Sequence, residues 1–396
     1  MIQLNARISS FDFFSVPRIV FGRGRFARAG EIVAQFAARA LIVHNGDEAL
    51  AEQLTAQLTA AGVASIRFRQ RGEPKLDDVD AALALARQGT CDGVIGLGGG
   101  SAIDSAKAVA ALLTNGGAAI DYMEVIGQGR KISRPSAPWV AIPTTAGTGA
   151  EVTRNAVIGA PHLRFKASIR GEQLLARVAL IDPELGVGVS PAVTAASGMD
   201  ALCQCIESFT SNGAHPMTDA LALQGCALAA GSLRSAYLDG GNLDAREGMA
   251  MAALLSGIAL TNAGLGAVHG FAAPLGANFP VPHGVVCAAL LPHVIEANVS
   301  AARQNAAGAP VLFRYATIGR TLSGRRDIGE DEAIDAAVRI TRELTRDLDI
   351  PPLGRFGLGV SDVPAMVALA RKSSSMRFNP VVLSDEMLAE ILRRAI

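Results

Sequence analysis

The chain has 396 residues, half of them apolar, and its 36 lysines and arginines balance 36 aspartates and glutamates. That length exceeds one ordinary core and favours two domains of about 150–200 residues each. Zero net charge excludes a basic field for nucleic acid or an anionic membrane surface and points to a small-molecule ligand.

In chain order, residues 11–14 and 18–21 around Pro17 read as an edge ribbon. Val- and Ile-rich runs then predict strands at 41–44, 64–68, 93–97, 139–142 and 178–181, alternating with helices at 47–61, 76–88 and 101–113. This alternation predicts a Rossmann-like parallel sheet with crossover helices, an α/β domain over residues 1–185. After Asp182 and Pro183, β-branched runs become rare and Ala- and Leu-rich segments at helical spacing take over. A mostly helical second domain is expected over 186–396, with one helix through 191–211, another opened by Pro216 and a break at Gly240 and Gly241. From Met249 to Phe279 there is no charged side chain, a length that suffices to cross a bilayer. Gly257, Gly264, Gly266, Gly270 and Pro274 interrupt that stretch, so it reads as a buried helix pair. The cysteines at 91, 203, 205, 226 and 287 form no disulfide framework, and the N-terminal residues lack a secretory signal. Both features predict reduced core thiols in a cytoplasmic protein.

Two patterns carry chemistry. Gly98-Gly99-Gly100-Ser101 follows a predicted strand and opens a helix, where bare backbone and free amides favour phosphate oxygens. It is neither a G-x-G-x-x-G fingerprint nor a Walker loop. The alternative is a plain strand-to-helix turn capped by Ser101, with Asp104 completing a capping box. A second glycine turn after the strand at 139–142 offers the hydroxyls of Thr144, Thr145 and Thr148, and two such turns suit a dinucleotide. Asn45 ends the second strand where an acid would grip a ribose 2′-hydroxyl. No Arg or Lys follows it closely in sequence to clamp a 2′-phosphate, which favours NAD over NADP.

The second pattern is ionisable side chains in apolar surroundings. His269 and His283 lie in a glycine-rich stretch, and Asp200 lies in another apolar segment. Burial of such groups needs a compensating partner, and one divalent cation satisfies all three. The alternatives are a capping or paired acid and two hydrogen-bonded core histidines. His44, His162, His215 and His293 lack partners at ligand spacing and read as structural or surface residues. Cys203 and Cys205 flank position 204 but point elsewhere on a helix, so they read as packing. A metal site behind a nucleotide loop points to metal-assisted hydride transfer.

The segments 98–107, 143–153, 198–202, 264–269 and 282–284 resemble the iron-containing (group III) alcohol dehydrogenase family, whose relatives include glycerol dehydrogenase and dehydroquinate synthase. The resemblance covers nearly the whole chain. It implies NAD or NADP on the first domain, a divalent metal on the second (Fe²⁺ first, Zn²⁺ second), and a reacting alcohol, aldehyde or ketone between them. It places Gly98, Gly99, Gly100, Ser101 and Asp104 at the pyrophosphate, and Thr144, Thr145 and Thr148 against the cofactor. Lys166 matches a lysine near the nicotinamide ribose. Asp200, His269 and His283 match three metal ligands and the catalytic centre. The family's fourth ligand histidine is replaced here by Gln204, a weaker donor, as in a subgroup that carries glutamine. A further family histidine is replaced by Ala273, which removes a proton relay. The resemblance also implies a homodimer or larger homo-oligomer. Rival readings within this fold are a metal-independent enzyme resembling maleylacetate reductase and a lyase resembling dehydroquinate synthase.

Overall fold

The computed structural model describes residues 10–163 and 165–396. Its strands are β1 (Ile19–Phe21), β2 (Arg39–His44), β3 (Ala64–Arg69), β4 (Gly93–Gly98), β5 (Trp139–Pro143), β6 (Asn155–Ala160), β7 (Phe165–Arg170) and β8 (Val178–Ile181). Six of them form one parallel sheet in the order β1-β8-β5-β4-β2-β3. The helices of this half are α1 (Ala29–Val33), α2 (Glu48–Ala60), α3 (Leu76–Gln88), α4 (Gly100–Asn115) and α5 (Ala119–Tyr122). Side chains alternate along each strand, so Ile42, Ile95 and Val140 pack with α1 and α2 while Leu41, Val94 and Ala141 pack with α3 and α4. Burial on both faces is why these strands read as continuous apolar runs.

From β2 the chain steps outward to β3, then returns past β2 to β4, and α2 and α4 lie on opposite faces. A crevice therefore opens at the carboxyl ends of β2 and β4, the place where such sheets take a nucleotide.

Two local expectations are corrected. Residues 11–14 form no strand: the Phe14 amide donates to Asn262 Oδ1 at 2.6 Å and its carbonyl accepts from Asn262 Nδ2 at 2.9 Å, so its backbone is satisfied by a distant side chain. Phe11 stacks on His215 with ring centroids 3.9 Å apart, and β1 joins the sheet edge parallel to β8. The antiparallel pair β6 and β7 was not anticipated. It is fixed to α4 by the fully buried Lys107, whose Nζ donates to Ala150 O (2.9 Å), Thr153 Oγ1 (2.7 Å) and Asn155 O (2.7 Å).

The rest of the chain is helical: α6 (Pro191–Thr210), α7 (Pro216–Leu238), α8 (Leu243–Ala263), α9 (Ala267–Asn278), α10 (His283–Arg303), α11 (Ala309–Ser323), α12 (Glu330–Asp347), α13 (Val363–Ala370) and α14 (Asp385–Ala395). Ser190 caps α6 through the Val193 amide, with Pro191 at the first helical position, and Asn242 caps α8 through the Ala245 amide. These helices share one core, whereas Leu254 and Ile258 of α8 belong to the core of the sheet half. The contact is close because it is glycine on glycine: a Cβ added to Gly149 would lie 2.5 Å from Gly257 Cα.

The uncharged stretch is the pair α8 and α9, bent by 100° at its break and therefore no straight span. α10 is long and apolar enough to cross a membrane, but 72% of that window is buried among other helices, as expected of a core helix.

Candidate metal and nucleotide site

The glycine loop is built at the crevice. Gly98 has φ of +143°, a conformation that side chains other than glycine's rarely adopt, and a Cβ there would run into Asn45 Oδ1. That same oxygen accepts from the Gly99 amide at 2.9 Å, tying the end of β2 to the loop. Added Cβ atoms at Gly99 and Gly100 would meet Thr145 Oγ1 at 3.2 Å and Thr148 Oγ1 at 2.8 Å, and the Thr144 amide donates to Gly98 O at 2.9 Å. The two glycine turns are thus interlocked. α4 begins at Gly100, with Gly99 as its N-cap and no side-chain cap. The capped-turn alternative is excluded, because Asp104 instead accepts from the Val157 amide at 3.0 Å and lies 3.6 Å from Lys107 Nζ. Uncapped first-turn amides leave an anion-binding helix start.

Beside the glycine loop, strand register brings Arg69 beside His44, one residue before Asn45, a proximity invisible in linear sequence. Glu48, the first residue of α2, lies 2.9 Å from Arg67 and 3.7 Å from Arg69 and engages both guanidinium groups. Lys166, on β7, is paired with Glu73, and its Nζ would lie 2.8 Å from a Cβ at Gly276 of α9. The remaining cleft between the halves is lined by Thr144, Thr145, Glu151, Thr194, Ser197 and Arg246.

One turn beyond Ser197 on α6, Asp200 is almost fully buried. Its Oδ1 lies 3.2 Å from His269 Nε2 of α9 and 3.5 Å from His283 Nε2 at the start of α10. Three residues separated by up to 83 positions therefore converge on one carboxylate oxygen (200 to 283). His269 Nδ1 lies 2.7 Å from Glu207 Oε2, and Glu207 Oε1 accepts from the Val268 amide at 2.7 Å. This fixes the ring so that Nε2 faces Asp200. Gln204 does not turn its oxygen to the cluster: Nε2 donates to Asp200 Oδ2 at 3.0 Å and Oε1 accepts from Ser256 Oγ at 2.7 Å. Because a carboxylate only accepts, the amide must present its NH₂ there.

Two participants escaped the sequence reading. Glu207 lies seven residues after Asp200 on the same face of α6, a spacing that was legible. Cys287 lies four residues after His283 on α10, and its Sγ is 3.7 Å from both His269 Nε2 and His283 Nε2. The donor atoms of Asp200, His269, His283 and Cys287 all fall within 4.8 Å of one another. Cys203, Glu207 and His269 form a second such group on the inner side.

The electrostatics match a cation-binding cluster. Burial raises the Asp200 pKa, but His283 and His269 hold the carboxyl well below the usual carboxylate range. Burial lowers the His283 pKa, yet Cys287 and Asp200 push it up to about 10. Burial, and then its contact with Cys203, raises the Cys287 thiol. Buried oxygen, nitrogen and sulfur donors in a ring that favours positive charge fit a divalent transition metal. Burial also raises Asp104, against the pull of Lys107, the Val157 amide and His283, so the glycine helix and the histidine share one electrostatic neighbourhood.

Comparison with known proteins agrees with this architecture. Residues 17–183 match the family model for iron-containing alcohol dehydrogenase, and residues 194–396 match the C-terminal model of the same family. Alcohol dehydrogenase 4 of Saccharomyces cerevisiae (strain YJM789) is 33% identical, over 98% of this chain and 99% of the yeast protein. The 1,3-propanediol dehydrogenase of Klebsiella pneumoniae is 38% identical, over 81% of this chain and 80% of that protein. A solved 1,3-propanediol oxidoreductase superposes with a TM-score of 0.90 at 34% identity, covering 98% of this chain and all of that one (100%).

Proposed function

Since the chain belongs to the iron-containing alcohol dehydrogenase family, and so is a metal-dependent nicotinamide oxidoreductase that interconverts an alcohol with its aldehyde or ketone, we propose that Asp200, His269 and His283 hold its divalent cation, Fe²⁺ or Zn²⁺. The observation that carries this reading is the approach of two imidazole Nε2 atoms, at 3.2 and 3.5 Å, to one buried Asp200 oxygen. Gln204 holds the second oxygen of Asp200, and Glu207 keeps His269 in the tautomer whose Nε2 faces inward. When bound, the cation supplies Lewis acidity at the alcohol oxygen and the nicotinamide ring supplies the hydride acceptor.

The first-turn amides of α4, with Gly98, Gly99, Gly100 and Ser101, bind the pyrophosphate, and Thr144, Thr145 and Thr148 line its approach. Asn45 holds the loop, and Asp104 supports it indirectly by anchoring Lys107 and the Val157 amide. Lys166 sits on the ribose side, its charge shared with Glu73. NAD is the preferred dinucleotide: Glu48 engages Arg67 and Arg69, the basic groups near Asn45 that could otherwise meet a 2′-phosphate. We divide the chain into a dinucleotide domain, 1–185, and a metal domain, 186–396. We assign it to the cytoplasm on its five free thiols. We propose a homodimer or larger homo-oligomer formed through β1, the edge strand of its sheet among the described residues.

The test is turnover of NAD and NADP on an alcohol panel by metal-reloaded protein and by Asp200→Ala, with folding checked by circular dichroism. A folded Asp200→Ala protein should lose turnover. Full activity in that variant, or survival of wild-type activity after exhaustive chelation, refutes the ligand assignment. Faster turnover with NADP refutes the cofactor preference, and a monomer by light scattering refutes the assembly.

A further inference from the structure

Gln204 stands on the same face of α6 as Asp200, one turn on, but both ends of its amide are engaged, with Asp200 Oδ2 at 3.0 Å and Ser256 Oγ at 2.7 Å. Turning the oxygen toward the cluster would set it against the Asp200 carboxylate and leave Asp200 Oδ2 without its donor. Gln204 is thus built as a support for Asp200. A donor of a different kind stands on another helix. Cys287 Sγ lies 3.7 Å from each of the two histidine Nε2 atoms, which themselves lie 3.2 and 3.5 Å from Asp200 Oδ1.

Those four separations have a simple meaning. With metal–sulfur bonds of about 2.3 Å and metal–nitrogen or metal–oxygen bonds of about 2.0–2.2 Å, ligands at tetrahedral angles stand ~3.3–3.6 Å apart, the longer edges being those to sulfur. Four of the six edges, at 3.2, 3.5, 3.7 and 3.7 Å, lie within about 0.1 Å of that range, with the two to sulfur the longest, and the donor atoms of all four residues lie within 4.8 Å of one another. Hydrogen bonding alone would not require one sulfur to sit equidistant from two imidazole nitrogens that already face a shared carboxylate oxygen.

We propose that Cys287 is a metal ligand, completing with Asp200, His269 and His283 a mixed oxygen, nitrogen and sulfur donor set for the single cation of this site. The inference rests on the assignment of the other three residues made above. Coordination exchanges the S–H bond for a sulfur–metal bond, and the displaced proton passes to solvent. A thiolate is a softer donor than imidazole or carboxylate, so it shifts selection toward Zn²⁺ at the expense of Fe²⁺. The face at His283, whose side chain is 40% exposed, stays accessible to a further ligand through five-coordination.

The experiment is X-ray absorption at the zinc edge on the full-length protein reloaded with Zn²⁺, paired with optical spectra of the Co²⁺-loaded form. The expected result is one sulfur neighbour at about 2.3 Å and a sulfur-to-cobalt charge-transfer band in the near ultraviolet. Both should vanish in Cys287→Ser and persist in Cys203→Ser, the nearest other thiol. Zn²⁺ affinity should fall by more in Cys287→Ser than in Gln204→Ala, for which the loss of a supporting partner predicts about 10- to 100-fold. A shell of nitrogen and oxygen only, or a band that follows Cys203, overturns the proposal while leaving the other three ligands in place. Failure of the wild-type protein to bind Zn²⁺ or Co²⁺ at all overturns both readings. If Cys287→Ser does not fold, the wild-type edge spectrum alone decides.

Discussion

At the scale of single residues, the ionisable groups in apolar surroundings carry most of the information. Glu151 is one the metal reading does not use. Burial, opposed by its own backbone amide and by Lys107, raises its carboxyl from 4.5 to about 7. The folded chain therefore holds a proton that the unfolded chain releases at lower pH, so stability is full below about pH 4.5 and declines as pH rises to about 7. The gap corresponds to ~3 kcal/mol. Glu151→Gln should flatten the melting temperature between those limits and exceed the native chain in stability at pH 8; superimposable profiles would refute this. Asn45→Ala removes the acceptor of the Gly99 amide and should weaken NADH binding by about tenfold, the worth of one such bond. Fluorescence titration measures this, and an unchanged affinity would separate the loop from the nucleotide. Asp200, His269 and His283 were legible because charge in an apolar run demands a partner. Cys287 was not, since a buried thiol looks like any small core residue until His283, four positions earlier, is known to face the same point.

Among elements, the parallel strands were readable because two buried faces give continuous Val and Ile runs, and β2, β3, β4, β5 and β8 all lie within two residues of their expected limits. The hairpin of β6 and β7 was missed although Ala156, Ile158 and Ala160 alternate inward, because Pro161 and Arg164 interrupt the pattern and Lys107 supplies its anchorage from afar. The 11–14 segment failed for the opposite reason, an apolar run whose hydrogen bonds go to Asn262. Two helical glycines make the local rule testable. Gly231 of α7 has open space around it, so Gly231→Ala should stabilise by about 1 kcal/mol through helix propensity alone. Gly257 of α8 faces the Gly149 backbone, with a Cβ only 2.8 Å from Gly149 Cα. There the overpacking cost of about 1–3 kcal/mol outweighs the same gain, and Gly257→Ala should destabilise. Urea denaturation checks both signs, and equal shifts for the two variants would refute the close contact.

For the whole molecule, binding energy adds to folding energy. Removal of the cation by chelation should lower stability by about 4 kcal/mol relative to protein with free cation at ~1,000 times its dissociation constant. An unchanged calorimetric transition would mean that no ion bridges α6, α9 and α10. The division into sheet and helical halves was legible from texture, whereas the seam between them was not. That seam is made by α8, which touches the loop after β5 through Gly257, supports Gln204 through the neighbouring Ser256, and leads through its bend into the helix that presents His269. A change of angle between the halves is consequently felt at the carboxylate that Gln204 holds. Dinucleotide and ion are then thermodynamically reciprocal: whatever factor the first adds to the affinity of the second is returned undiminished, and paired titrations should yield one identical number.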